Sequence, residues 1–418
     1  MHRQLGEVID PRKIPQYPIN EIVFGAISMF VFKSGSRNNM NNFASEGNFK
    51  KNFYKCFKFN LPHMDTVKKV FEKLEISELE ILKKTLVKQL IENKVFDKWR
   101  YNGKLIVAID ATGLFTFKEP HCDKCLKRTY KANKKRKKDK IVYFHNVLEA
   151  KLVTENGFSI SLCTEWIENE GVEYDKQDCE QKAFVRLAKT LKQDFPRLAI
   201  CLCADGLYPN NTFFEICNEN KWDYIVTLPD KTLKKLWKKI HLAVPDTKKH
   251  LFEKGVIECE QAFQFINNLE HNGVVNNWLQ LDEIQTNKKN KIKKYKFVYL
   301  TNIEITPDNI LLISKVGRMR WKIEKQGFDQ QKNHGYNICH KYCRKSYQGM
   351  KNFYQCCQIA HLFNQLVELS KNITAFKSNK ITIKHIWTSF IAFMFYGEIC
   401  EKFLTRKLNH RTQIHYII

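Results

Sequence analysis

The sequence predicts an α/β fold: a mixed sheet with flanking helices, an inserted β subdomain, and helical regions at both ends. Three observations carry this. Two short, continuous apolar runs, Leu105–Ile109 and Leu198–Ala204, read as strands buried on both faces. Stretches with apolar residues three and four positions apart flank them and read as amphipathic helices. A Lys-rich stretch from 231 to about 295 interrupts the alternation and holds a long hairpin pattern.

Taken in order, residues 1–100 are mainly helical. Asp65-Thr66 offers an N-cap ahead of Val67, Val70, Phe71 and Leu74, and Ser77 to Val95 carries Leu79, Leu82, Leu86 and Leu90 at helical spacing. Leu105–Ile109 follows as a strand ending in Asp110. The next strands are Ile141 to Val153 and Phe158 to Cys163, joined by a turn at Asn156-Gly157. A helix at about 179–193 presents Ala183, Phe184, Leu187, Ala188 and Leu191 as one stripe, with Pro196 just beyond it. Leu198–Ala204 is a buried strand ending in Asp205-Gly206. A short helix (Thr212 to Asn218) and a strand (Tyr224 to Leu228) complete the run. The first three strands suit an antiparallel meander, and the later ones, joined through helices, suit parallel pairing. This is the layout of a ribonuclease H-like core. Inside the interruption, Trp278 to Ile284 and Tyr295 to Thr301 pair across a polar stretch. A helix resumes at about Ser314 to Lys332, then Gly349 to Leu369 and Ile383 to Phe403. The division is 1–100 helical, 101–230 first part of the core, 231–300 insertion, 301–372 second part of the core, and 373–418 helical.

The chain has 418 residues, too many for one ordinary core. At 43% hydrophobic and 13% aromatic it can bury sizeable ones. With 70 Lys+Arg against 44 Asp+Glu, the net charge is +26 and the isoelectric point about 9.4. Such an excess favours a polyanionic partner, nucleic acid before an acidic membrane surface, and no basic amphipathic helix concentrates the charge. The longest apolar runs, Ile22 to Phe32 and Ile386 to Tyr396, are too short to span a bilayer. Fourteen cysteines, including Cys201/Cys203 and adjacent Cys356/Cys357, do not form a secreted disulfide pattern. The expectation is a reduced, cytoplasmic, nucleoid-associated protein.

Three carboxylates stand out: Asp110 and Asp205 after buried strands, and Glu324 on the helix after the insertion. In the inferred core the two strands are neighbours and the helix packs beside them, so the three converge. Singly, an Asp after a strand is more often a turn or cap residue. Together, three crowded carboxylates repel one another unless a cation joins them. Two Mg²⁺ or Mn²⁺ ions about 3.5–4 Å apart, held by such oxygens, suit phosphodiester cleavage.

The stretch Arg318 to Tyr336 resembles the third catalytic region of insertion-sequence DDE transposases, with their Tyr-x2-Arg-x3-Glu-x6-Lys signature. Arg320 and Glu324 match in type and spacing. Gly317 stands at the Tyr position and Gln331 at the Lys position, with Lys332 one residue later, about 100° round an α-helix from the shared face. Ile109-Asp110-Ala-Thr-Gly113, Ala204-Asp205-Gly-Leu-Tyr208 and Lys176-Gln-Asp-Cys-Glu180 are also similar to that family. The likeness runs from roughly residue 20 to 370. It implies metal-dependent cleavage and strand transfer at the ends of an insertion sequence, with Asp110, Asp205 and Glu324 as catalytic metal ligands. It further implies a homodimer on double-stranded DNA (transposon ends and target), with the N-terminal helices binding the ends. Arg320, with Lys325 and Lys332, would contact DNA, and Trp321 would stack on an unpaired base. The plainer alternatives are an i,i+4 ion pair between Arg320 and Glu324, and core packing for Trp321. At the level of the whole chain, the alternatives are a ribonuclease H-fold nuclease without strand transfer and a catalytically decayed DNA-binding protein.

Nine of the fourteen residues from Lys127 to Lys140 are Lys or Arg, read as an exposed loop suited to phosphate contact. Lys231–Lys239 and Lys288–Lys296 share that character. Cys122 and Cys125 form half of a zinc site; His121, His145, Cys339, His340 and Cys343 are the available completing ligands, and ordinary reduced thiols are the alternative.

Overall fold

The apolar run at 105–109 becomes the start of a longer strand, because the residues beyond it stay paired on one side. In the computed structural model, which describes residues 2–132, 138–170, 176–376, 381–408 and 415–416, β1 spans Leu105–Phe117. Asp110 therefore lies within β1 and does not end it. What ends is the pairing with the next core strand, β5 (Ile200–Ala204), which is parallel to β1 only over Leu105–Ala108. On its other side β1 pairs antiparallel with β3 (Lys140–Val153) along nearly its whole length, Asp110 opposite Glu149.

β4 (Ser159–Ile167) pairs antiparallel with the second half of β3, and β6 (Asp223–Thr227) lies parallel to β5. The central order is thus β4-β3-β1-β5-β6. The first half of β3 pairs with a strand the sequence did not reveal, β2 (Leu126–Tyr130). Its last four residues are exposed, so it has no apolar signature. The basic tract read as a loop is therefore partly a β2–β3 hairpin; its middle, 133–137, lies outside the described residues.

The insertion holds β7 (Asp246–Lys254), β8 (Ile257–His271), β9 (Val274–Asn287) and β10 (Ile292–Thr301), each antiparallel to the next. β10 also pairs antiparallel with β6. The insertion thus continues the core sheet, and the whole forms one mixed ten-stranded sheet.

Alternation along β1 explains the layers. Val107 and Ile109 face helices Glu180–Asp194 and Asn211–Glu219, through residues such as Leu187 and Phe213. Ile106 and Ala108 face Ile310, Ile313 and Val316 of helix Ile310–Arg318. A third core joins the N-terminal helices, including Ile19–Val31 and Met64–Phe71, to helix Tyr347–Glu368. His63, not Asp65, caps Met64–Phe71: its Nδ1 accepts from the Asp65 amide at 3.3 Å. Among the described residues, no helix is long and apolar enough to cross a membrane.

The helix expected over 314–332 is broken in two places. Ile310–Arg318 is α-helical, and Ile323–Phe328 is a π-helix that leads into Asp329–Asn333.

Candidate active site

Five residues of β1 before Asp110 are at most 3% exposed. Burying each large apolar side chain contributes about 1.5–3 kcal/mol, enough to hold the polar residue that follows where it would not settle alone. The Asp110 side chain is 13% exposed. Burial pushes its carboxyl well above the usual range; Arg320 opposes this, while Glu324, through a hydrogen bond and its charge, and Asp205 add to it.

Asp205 sits just after β5. Its Oδ1 accepts from the Leu207 amide at 2.8 Å, fixing a tight turn. Tyr208 donates to Glu180 Oε1 at 2.7 Å, and Gln181 donates to the Leu207 carbonyl at 3.0 Å. These bonds tie the Asp205 turn to the start of helix Glu180–Asp194, which is what the segment ending in Glu180 does here.

Glu324 comes from the π-helix. Arg320, buried at 6% exposure, reaches Glu324 Oε1 at 3.2 Å and Asp110 Oδ2 at 3.4 Å. The expected i,i+4 ion pair exists, and its guanidinium also bridges to β1. Asp110 and Glu324 thus share one cation, and Asp205 is near enough for its charge to raise Asp110 further. An open pocket beside them is lined by Asp110, Ala111, Thr112, Glu324, Phe328, Asp329 and Lys332. Asp205 lies off this lining. Asp329 brings a fourth carboxylate that sequence reasoning missed, because five-residue spacing is not a shared face in an α-helix but is close to one in a π-helix.

The same geometry corrects the reading of Lys332. On a regular α-helix Gln331 would face the site. The π segment takes up one extra residue, so the next position faces it instead. Lys332 Nζ donates to Thr112 Oγ1 at 2.5 Å on the pocket wall. Gln331 is fully buried, donating to Gln358 at 2.9 Å and accepting from Lys151 at 3.3 Å. The legible signal was the one-residue displacement of the lysine together with Gly327. A Cβ at Gly327 would lie 2.8 Å from Ser159 Oγ, so only glycine lets this segment approach β4 so closely.

Gly317 has a comparable cause. A Cβ there would lie 2.9 Å from Ile225 and from the Tyr299 ring, so β6 and β10 fill the space a tyrosine would need. Trp321 is 47% exposed, which removes core packing as its role; the Arg320 guanidinium lies 4.2 Å from its ring centre. Lys325 is exposed and off the pocket lining.

Of the basic tracts, helix Lys234–Leu242 buries Leu236, Trp237 and Ile240 and exposes its lysines. Residues 288–296, at the β9–β10 turn, are exposed throughout. Within this stretch the exposed Tyr295 stacks on Phe297 at 6.4 Å, and Arg318 lies over Phe297 at 4.6 Å.

Cys122 and Cys125 lie together with His145 and His121 at the far end of β1. Cys343 lies 3.5 Å from Glu72 instead, Cys339 is 3.6 Å from the Gly113 carbonyl, and His340 packs on Tyr342. No protein-family model matches this chain, and no curated protein sequence matches it.

Proposed function

We propose that this chain is a DDE-type DNA transposase, with Asp110, Asp205 and Glu324 as the metal-holding carboxylates of a ribonuclease H-like core. The observation that carries the reading is the sharing of Arg320 by Asp110 and Glu324, with Asp205 close enough for its charge to act on the deeply held Asp110. The order β4-β3-β1-β5-β6, antiparallel in its first three strands and parallel thereafter, supports it as the arrangement expected of such a core. Both departures from the family signature have local compensations: Tyr299 fills the room beside Gly317, and the π-helix turns Lys332 toward the pocket. That weighs against decay.

The donor set suits hard divalent cations, being all carboxylate oxygen with one member, Asp110, largely withdrawn from water. Asp110, Asp205 and Glu324 would hold two Mg²⁺ or Mn²⁺ ions. When bound, these ions make a water or 3′-hydroxyl nucleophilic and stabilise the leaving oxygen. Arg320 now neutralises Asp110 and Glu324; relieved of that task, its planar fork can take a DNA phosphate. Lys332, at the pocket wall, adds a second phosphate contact. Trp321, its outer face open, offers a stacking surface for an unpaired base. The expected partner is double-stranded DNA, bound by a homodimer that pairs two element ends.

The test is cleavage of DNA carrying the element's own ends, with Mg²⁺ or Mn²⁺, by wild type and by Asp205→Asn. Metal-dependent cutting that falls roughly a hundred-fold or more in the near-isosteric variant is expected. A variant that cuts as well as wild type would overturn the assignment. Joining of the cut ends to a target separates a transposase from a nuclease that only cuts.

A further inference from the structure

We propose that His121, Cys122, Cys125 and His145 hold a structural zinc ion at the base of the basic β2–β3 hairpin. The site is independent of the carboxylates and of the transposase reading.

The distances carry the proposal. Cys122 Sγ and Cys125 Sγ are 3.9 Å apart, and His145 Nε2 lies 3.5 Å from the first and 3.4 Å from the second. Zn–S bonds of about 2.3 Å and Zn–N bonds of about 2.0–2.1 Å at tetrahedral angles require edges of about 3.8 Å between sulfurs and about 3.6 Å between sulfur and nitrogen. Three corners of the tetrahedron are therefore already spaced for the ion. His121 supplies the fourth by turning toward Cys125: its ligating nitrogen already lies within 4.8 Å of Cys122 Sγ and of the His145 nitrogen, a set that does not include Cys125. His121 Nδ1 is buried without a hydrogen-bond partner, while Nε2 is 2.5 Å from the Arg344 carbonyl. A ligating histidine commonly uses its other ring nitrogen in this way, donating outward to a fixed acceptor.

Local structure explains the convergence. Leu126 pairs with Phe144, so one step further back Cys125 stands opposite His145 at the hairpin's base. Phe117 stacks on His121 at 4.4 Å and Tyr347 on His145 at 3.9 Å, walling the cluster with aromatic rings. Two thiolates and two neutral imidazoles exactly offset the 2+ charge of zinc, which suits a partly buried site; the two thiol protons leave to solvent. Four protein ligands leave no open position, so the role is structural. The ion would fasten the β1–β2 connection to β3 beside the start of helix Tyr347–Glu368, whose Tyr347 packs on His145.

The experiment uses the full chain. Elemental analysis of purified protein is expected to give about one zinc per chain, and exchange with Co²⁺ to give thiolate-to-cobalt charge-transfer bands with tetrahedral d–d absorption. Cys125→Ser and His145→Gln should each lower zinc content about tenfold or more, while Cys339→Ser and Asp205→Asn leave it unchanged. The proposal is overturned if wild type takes up neither metal, if Co²⁺ enters without thiolate bands, or if Cys125→Ser keeps its zinc. Should the ligand variants fail to fold, X-ray absorption on wild type decides alone: two sulfur and two nitrogen neighbours are expected, and an all-oxygen or all-nitrogen shell refutes the site.

Discussion

Asp110 takes up protons more readily in the folded chain than in the unfolded one, because burial outweighs the help from Arg320. The sign follows. A carboxyl raised in the fold stabilises the protein while protonated, and that contribution is lost as pH rises from its ordinary value of 3.8 through its folded value. A divalent cation replaces the proton. Without metal, thermal stability should therefore fall as pH rises from about 4 to about 8 and level off above that, and Mg²⁺ should restore it more at alkaline than at mildly acidic pH. Asp110→Asn should remove that dependence and gain about 1–2 kcal/mol of metal-free stability while abolishing activity. Calorimetric melting with and without Mg²⁺ checks this; an Mg²⁺ effect unchanged in the variant would refute it.

At the scale of the element, the π-helix separates two adjacent residues into different roles. Gln331→Ala breaks a buried amide network and should cost about 1–3 kcal/mol of stability, with modest effect on DNA contact. Lys332→Ala sits at a pocket wall and should change stability by no more than about 0.5 kcal/mol, yet weaken end binding or cleavage about tenfold or more. Denaturant melts beside cleavage assays decide it; the reverse pattern would mean the helix is a regular α-helix here. This element also marks the limit of sequence reading. The strands at 105–109 and 198–204 were legible because burial on both faces demands unbroken apolar runs. Asp110 and Asp205 were legible because they follow such runs, and Glu324 because of its four-residue spacing from Arg320. The extra residue of the π segment left only the displaced lysine and Gly327 as its trace, since it arises from packing against β4 and the buried Lys151–Gln358 network. Likewise β2 is exposed and polar, and the pairing of Cys125 with His145 depends on a register that nothing local in the sequence fixes.

Across the whole molecule, the charge of +26 is spread over tracts that the fold leaves on the outside. If these contact phosphates, DNA affinity should fall steeply with salt, the logarithmic slope losing about 0.9 for each contact removed. Replacing Lys289, Lys291, Lys293 and Lys294 at the β9–β10 turn by Gln should flatten the slope by about 2–4 while leaving cleavage at saturating DNA intact. Binding isotherms at several salt concentrations measure it, and an unchanged slope would place this hairpin away from DNA. The N-terminal helices, by contrast, share an apolar core with helix Tyr347–Glu368, so they form a fixed platform and not a tethered arm.

The joining of β10 to β6 has one more consequence. A sheet that runs unbroken from β2 to β7 must stop somewhere, and among the described residues it stops at β7, with one row of amides and carbonyls lacking a neighbouring strand. Such a margin invites the same margin of another copy, the first step toward insoluble fibrous assembly. β7 carries Lys248, Lys249 and Lys254 along that margin. Two copies brought edge to edge would set these ammonium groups against one another, so the lysines of this strand guard the edge against such pairing.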